Sequence, residues 1–304
     1  MKTLVLSMIS IAATVAAMTA CTSESDGIDN IAQDAKVEIK ASAGIGSITT
    51  KAAVIPGQEL TDIAFVRADG EADPTWTSAN VTSIDGKIEA STGKITFTPA
   101  QYYPTTGNAY FVGYYPKAKG TLESGAVTYT NLTGQEDIMY ATKMSGAKAD
   151  AATPLSTSFA HKLTQIKFKV IAKDATAAAV WGDITSIQLV KQSNEATLNI
   201  SDGEVKFTEK KDQPFKIFSG EQSLSTSLSD EIGYVLAEAT LTGGYEIEIK
   251  TTMLPDGTII KLDNVTGTAS TSYITTITFS GTNVDAKGTI GAWTENNDGT
   301  GEVK

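Results

Sequence analysis

Apolar and polar residues alternate with period two along much of the chain. Val37, Ile39, Ala41, Ala43 and Ile45 share one parity, and Ile95 and Phe97 alternate with Thr96 and Thr98. Ile166, Phe168 and Val170 alternate with Lys167 and Lys169, as Tyr245, Ile247 and Ile249 do with Glu246, Glu248 and Lys250. Successive strand side chains point to opposite faces, so each run predicts a strand with one buried and one wet side. Two more rows follow: Tyr273, Thr275, Ile277 and Phe279, then Val284, Ala286, Gly288, Ile290 and Ala292. Asp85-Gly86, Ser91-Thr92-Gly93, Ser201-Asp202-Gly203 and Pro255-Asp256-Gly257 place glycine where a turn needs positive φ, and predict hairpins. Long runs of helical period are absent. Asp174 to Trp181 and Ser229 to Gly233 are the short-helix candidates.

Turn signals about 8–12 residues apart favour antiparallel sandwiches over alternating βαβ units. With 304 residues, 41% of them hydrophobic, the chain has length for two modest domains. A polar Ala/Asp/Ser/Thr-rich stretch from Ala147 to Thr157 marks the expected boundary, giving β-sandwich domains over 36–157 and 158–304.

Charge and residue counts remove whole classes of function. A net charge of -11 repels phosphate backbones, and Arg67 is the sole arginine, so nucleic acid is not a partner. Arg67 lies among Ile63, Phe65 and Val66 and reads as an edge or surface cation. One cysteine (Cys21) and one histidine (His161) exclude zinc clusters, disulfides and Ser/His/Asp or Cys/His catalysis; no cofactor, metal or catalytic residue is assigned. His161 shares the parity of Phe159 and Leu163, which reads as a structural histidine. Glu136 and Asp137 are adjacent and, in a strand, would face opposite ways, the wrong arrangement for a glycosidase pair. No Asp-x-Asp-x-Asp-Gly calcium loop occurs, and Asn296, Asn297 and Asp298 read as a solvated tail. Tyr102, Tyr103, Tyr110, Phe111, Tyr114 and Tyr115 form an aromatic stretch that reads as core, with an exposed ligand platform as the alternative.

The N-terminus reads as an address. Leu4 to Ala17 is an apolar run too short to cross a hydrocarbon layer about 30 Å thick as a helix. It ends on Met18-Thr19-Ala20-Cys21, which resembles a bacterial lipobox. Residues 1–20 are then a lipoprotein signal peptide, Cys21 is the lipidated new N-terminus, and 21–35 form a flexible tether. A secreted protein with a chance cysteine is the bland alternative. The acidic stretch Thr22 to Asp26 is similar to the surface-export signal of lipoproteins in Bacteroides-type bacteria.

Three further segments carry a family resemblance. Gln135-Glu136-Asp137-Ile138-Met139-Tyr140-Ala141, Phe159-Ala160-His161-Lys162-Leu163-Thr164-Gln165-Ile166 and Gly288-Thr289-Ile290-Gly291-Ala292-Trp293-Thr294 together resemble the fimbrillin family, the type V pilus subunits and related surface lipoproteins. The resemblance implies two tandem transthyretin-like antiparallel β-sandwich domains. It also implies assembly with other fimbrial subunits by strand exchange: a protease removes the first strand and a neighbour's strand fills the vacated groove. Lys36 to Ile48 has the alternation of such a strand, and Lys51 followed by Ala52 is the candidate maturation site, although the family often has arginine there. Val284, Ala286, Ile290 and Ala292 mark a candidate donor strand. Both terminal segments equally suit strands that complete their own domains.

The leading expectation is therefore a non-enzymatic, structural and adhesive fimbrial subunit. It would be exported to the cell surface, held at the outer membrane by its lipid before maturation, and directed at a host or bacterial surface ligand. The alternative is a monomeric surface lipoprotein that binds carbohydrate or host glycoprotein through the aromatic stretch.

Overall fold

Alternation becomes strand nearly everywhere it is predicted in the computed structural model, which describes residues 36–46, 53–54, 59–77, 81–209, 212–281 and 283–293. Cys21, Lys51, Ala52, Asn296, Asn297 and Asp298 lie outside the described residues. The first ten strands are β1 (Ala41–Gly46), β2 (Ala53–Val54), β3 (Leu60–Gly70), β4 (Thr82–Ile88), β5 (Lys94–Thr98), β6 (Asn108–Tyr115), β7 (Gly120–Glu123), β8 (Ala126–Tyr129), β9 (Met139–Ala147) and β10 (Leu155–His161). The second ten are β11 (Thr164–Ala172), β12 (Ile184–Gln192), β13 (Ala196–Asn199), β14 (Val205–Phe207), β15 (Gln213–Gln222), β16 (Gly233–Ala237), β17 (Glu246–Thr251), β18 (Thr258–Asp263), β19 (Thr271–Ser280) and β20 (Asn283–Gly291).

These strands form three sheets. The first is eight-stranded in the order β10-β9-β6-β3-β4-β5-β1-β2, with an additional pairing between β10 and β1 that closes it. A second eight-stranded sheet runs β15-β12-β17-β18-β20-β19-β11-β16. Its outer strands approach each other at Gly233, where any Cβ would collide with the Ile217 carbonyl oxygen, so this position requires glycine. The third sheet, β14-β13-β8-β7, takes one hairpin from each half of the chain.

The protein is all-β, as the alternation predicts, but the sheets are mixed. β1 with β10, β11 with β19, and β18 with β20 are parallel pairs. Such pairings join strands far apart in sequence and leave no hairpin signal.

One apolar core lies inside the first sheet, around Phe65, Phe97, Phe111 and Phe159. A larger one runs from the other face of that sheet, at Val66, Val112 and Tyr114, to Ile166, Phe168 and Ile247 of the second. Both faces of β6 are therefore covered. This explains why Asn108–Tyr115 is almost continuously buried and shows no alternation. The aromatic stretch is accordingly core: Tyr103, Tyr110, Phe111 and Tyr114 are buried, Tyr115 is half-buried and only Tyr102 is 39% exposed. The ligand platform that the stretch would have formed is not there.

Local signals held where they were self-contained. A helix spans Ala175–Trp181, its first turn capped by the Asp174 carboxylate accepting from the Ala177 amide at 2.8 Å and its end by Gly182 at φ 67°. Gly93, Gly203 and Gly257 take positive φ in their turns. Asp85-Gly86, however, lies inside β4 and is no turn, since Gly86 clears space for the Phe65 ring. Ser229 to Ile232 is not helical either. It runs beside β11, with the Ser229 amide donating to Val170 O and the Ile232 amide to Phe168 O.

Candidate functional site

The most unusual feature of the first sheet is the seat of β1. Its sequence, Ala-Ser-Ala-Gly-Ile-Gly, is made of small residues with one large apolar side chain. On one side it pairs in parallel with β10 from Ala41↔Leu155 to Ile45↔Phe159. Its other side pairs antiparallel with β5 at Ala41↔Ile95 and with β2 at Ile45↔Val54. Both backbone edges are thus occupied, while Ile39, Ala41, Ala43 and Ile45 are buried in the first core. The segment before it is held as well, for the Ile39 amide donates to Gln101 O and the Tyr103 amide to Val37 O. A cavity of about 390 Å³ lies alongside, lined by Ile39, Ala41, Ile95, Phe97, Ala100 and Pro154.

Arg67 braces the loop next to this seat. On β3 it donates to the Asp69 carboxylate, to Gln101 Oε1 at 2.7 Å and to Tyr102 O at 2.7 Å, and it lies over the Phe111 ring. It is a largely buried structural clamp, not the edge or surface cation expected from sequence, because the long guanidinium reaches partners 34 and 35 residues away.

The candidate donor residues lie on β20. This strand pairs antiparallel with β19 along nine positions, from Ser272↔Gly291 to Ser280↔Asn283. β18 meets it only at Ala286 and Lys287. Ala286 is buried, Val284 is half-buried, and Ile290 and Ala292 are exposed, Ile290 at 72%. Ile290 has the parity of buried Ala286 and Gly288, yet it stands past the edge of the core.

The three signature segments meet at the junction of the first two sheets. Met139–Ala141 pair with Phe159–His161, and the Lys162 amide donates to Ile138 O. His161 is buried, its Nδ1 lies 2.5 Å from Asp137 Oδ2, and its ring stacks on Trp293 with centroids 4.0 Å apart. Just before Trp293, the buried Lys167 ammonium donates to Ala292 O at 2.9 Å. One histidine therefore joins a residue from each of the other two segments, and β20 ends in a clamp. Spacing alone does not reveal that these segments touch. Lys162 lies over the Tyr140 ring at 4.9 Å, and burial lowers its pKa against an opposing pull from Asp202.

This arrangement holds parts together and offers little chemistry. His161 is enclosed by Asp137 and Trp293. Glu136 turns to the Thr133 amide at 2.7 Å and to Lys119 at 3.3 Å, so the neighbouring carboxylates serve separate partners. They do so from a loop and not from the strand that the sequence suggested. Among the described residues no three His, Cys, Asp or Glu side chains converge on a metal-sized site.

The molecule thus has a strand paired on both edges in one sheet and a strand with a clamped end in the other, an all-β arrangement built for holding segments together. The chain matches the model of the fimbrillin-like family over residues 66–293 and belongs to that family, one of structural fimbrial proteins and not of enzymes. No curated protein is significantly similar to it in sequence. Among solved structures it is similar to a "putative cell adhesion protein" from Bacteroides uniformis, with 20% identity and a TM-score of 0.59, covering 86% of this chain and 99% of that one. A second such protein, from Bacteroides ovatus, has 16% identity, a TM-score of 0.59 and the same coverage. A fimbrial protein from Bacteroides vulgatus has 10% identity and a TM-score of 0.50 over 84% of this chain and 99% of that one. At these identities the likeness concerns the fold.

Proposed function

We propose that this fimbrial, adhesion-type subunit of the cell surface assembles with other subunits by protease-triggered strand exchange. In this reading the chain forms tandem transthyretin-like domains, 36–157 and 158–304, with the boundary falling inside β10. Cys21 carries the lipid that holds the precursor at the outer membrane, and cleavage after Lys51 creates a mature start at Ala52.

The observation that carries the proposal is the double pairing of β1. Adjacent strands lie about 4.8 Å apart, so losing β1 would leave a slot about two spacings wide with unpaired backbone on both sides. One side would be β10, with Leu155 and Phe159, and one extended strand would fill the slot. Residues 47–52, which contain the Lys51-Ala52 bond, join β1 to β2. A cut there separates β1 from the rest of the chain in a single step. For the donor, the candidate segment from Val284 to Ala292 is supported by its exposed end at Ile290 and Ala292. Donating the whole strand would surrender its nine pairs with β19, and donating only its end would surrender four of them together with the Lys167 bond to Ala292 O.

The test is the N-terminus of protein taken from its native cell surface, read by intact mass and terminal peptide sequencing. A start at Ala52 together with SDS-resistant ladders is the expected result. Lipidated Cys21 as the sole start in assembled material would overturn maturation by loss of β1.

A further inference from the structure

We propose that the outer face of the four-stranded sheet binds a neutral carbohydrate. This sheet is built where the two halves of the chain meet, through β8 and β13 paired from Ala126↔Asn199 to Tyr129↔Ala196. Its inner face, with Val127, Tyr129, Ala196 and Leu198, is buried in the larger core. The outer face carries Ala126, Thr197 and Asn199, which are half-buried and line a cavity of about 330 Å³. That volume lies at the small end of ligand sites and matches about one or two pyranose rings.

Polar side chains stand around its rim. Thr75 and Thr77 lie on one side, Ser124 at the β7–β8 turn, and Glu204 with Lys206 on another. Between the two threonines, Trp76 has φ 59°, a region that disfavours bulky residues, and is only 4% exposed. Its ring is packed into the larger core while its neighbours remain exposed. A left-handed tryptophan persists only where surrounding packing overdetermines it. Here that packing fixes the two threonines beside the cavity. The loop also approaches the turn closely, because a Cβ on Gly125 would lie 3.1 Å from the Trp76 carbonyl oxygen.

The lining chemistry selects the ligand class. Hydroxyls of Thr75, Thr77, Ser124 and Thr197 both donate and accept, as sugar hydroxyls do. Asn199 Oδ1 already accepts from the Ser201 amide and hydroxyl, and its Nδ2 makes only a 3.5 Å contact to Asp202, so it retains donor capacity. Glu204 and Lys206 are paired at 3.0 Å and cancel in charge, and the chain's net charge of -11 does not draw anions. The cavity lies over a sheet face, so it offers no backbone ladder to a peptide. It is also on a different sheet from β1 and β20, so the inference does not depend on strand exchange.

The test is saturation-transfer NMR and titration of the full chain with methyl α-mannoside, methyl β-galactoside, N-acetylglucosamine and fucose, with sialic acid and inorganic phosphate as anionic probes. At least one neutral sugar should bind, and Thr197→Trp, which fills the cavity, should weaken it by about tenfold or more. Thr197→Val keeps the shape and removes one hydroxyl, and should weaken it by a smaller factor; it serves as the test if the bulky variant does not fold. Absence of neutral-sugar binding, binding unchanged in a folded Thr197→Trp, or displacement of the sugar by phosphate would each overturn the proposal.

Discussion

β1 and β20 stand near opposite ends of the chain and complete different sheets by different means. β1 is a wedge: six residues with five partners on one edge and four on the other, and with buried side chains mostly no larger than alanine. β20 is a flap: nine residues paired fully along one edge, met on the other at two positions, and clamped past its end by Lys167 and His161. Losing the wedge would expose two backbone edges and a groove, whereas fraying the flap exposes one edge at the rim of the sheet. The lesson is that how readily a strand can leave its sheet follows from how many of its edges are paired and how tightly its side chains fill their seat. Small side chains beside a 390 Å³ cavity gain comparatively little dispersion energy, so backbone pairing holds β1 more than packing does.

The largest predicted effect tests the wedge. Ala43 is 5% exposed and faces the inner core, so Ala43→Asp buries a carboxylate among apolar side chains. The expected loss is about 3–5 kcal/mol in urea unfolding, with faster hydrogen exchange at the β10 amides that β1 covers. A loss below about 1 kcal/mol with β10 still protected would mean that β1 is already loosely seated and that its double pairing is not what closes the sheet.

Trp293→Ala tests the clamp on the flap. It removes a stacked ring from His161 but leaves the Lys167 bond to Ala292 O. Stability should fall by about 1–2 kcal/mol, and exchange should quicken at 288–292 while β19 stays protected. If β19 loses protection as well, the flap is as integral to its sheet as the wedge, and the contrast fails.

Much of this contrast was legible from sequence, but in pieces. The alternating rows at 37–45, 273–279 and 284–292 gave the strands because each had one wet face to break the apolar run. At Asn108–Tyr115 the rule failed, because a strand covered on both sides carries no period. Asp85-Gly86 misled for a related reason: a glycine kept small for Phe65 looks like a turn glycine in sequence. Asp137, His161 and Trp293 were each marked by their segments, yet their meeting depends on contacts 24 and 132 residues apart along the chain, which no local pattern encodes. The carbohydrate cavity left no signal at all, since threonine, serine and asparagine in strands and turns are ordinary surface residues until two hairpins bring them together.

The smallest predicted effect on stability is also the sharpest test of the flap's end. Ile290 has the parity of a core residue and stands 72% exposed, so its side chain contributes little to the monomer. Ile290→Asp should change unfolding stability by no more than about 0.5 kcal/mol. In the assembly reading the same residue enters a neighbour's apolar groove, where an unpaired carboxylate is strongly disfavoured. The variant should therefore fold as the parent does and form no SDS-resistant ladder. Ladders of normal length would remove Ile290 from the interface and assign donation to a segment other than the end of β20. A folded monomer without ladders would tie the most exposed apolar side chain of β20 to the slot that loss of β1 would open in the first sheet.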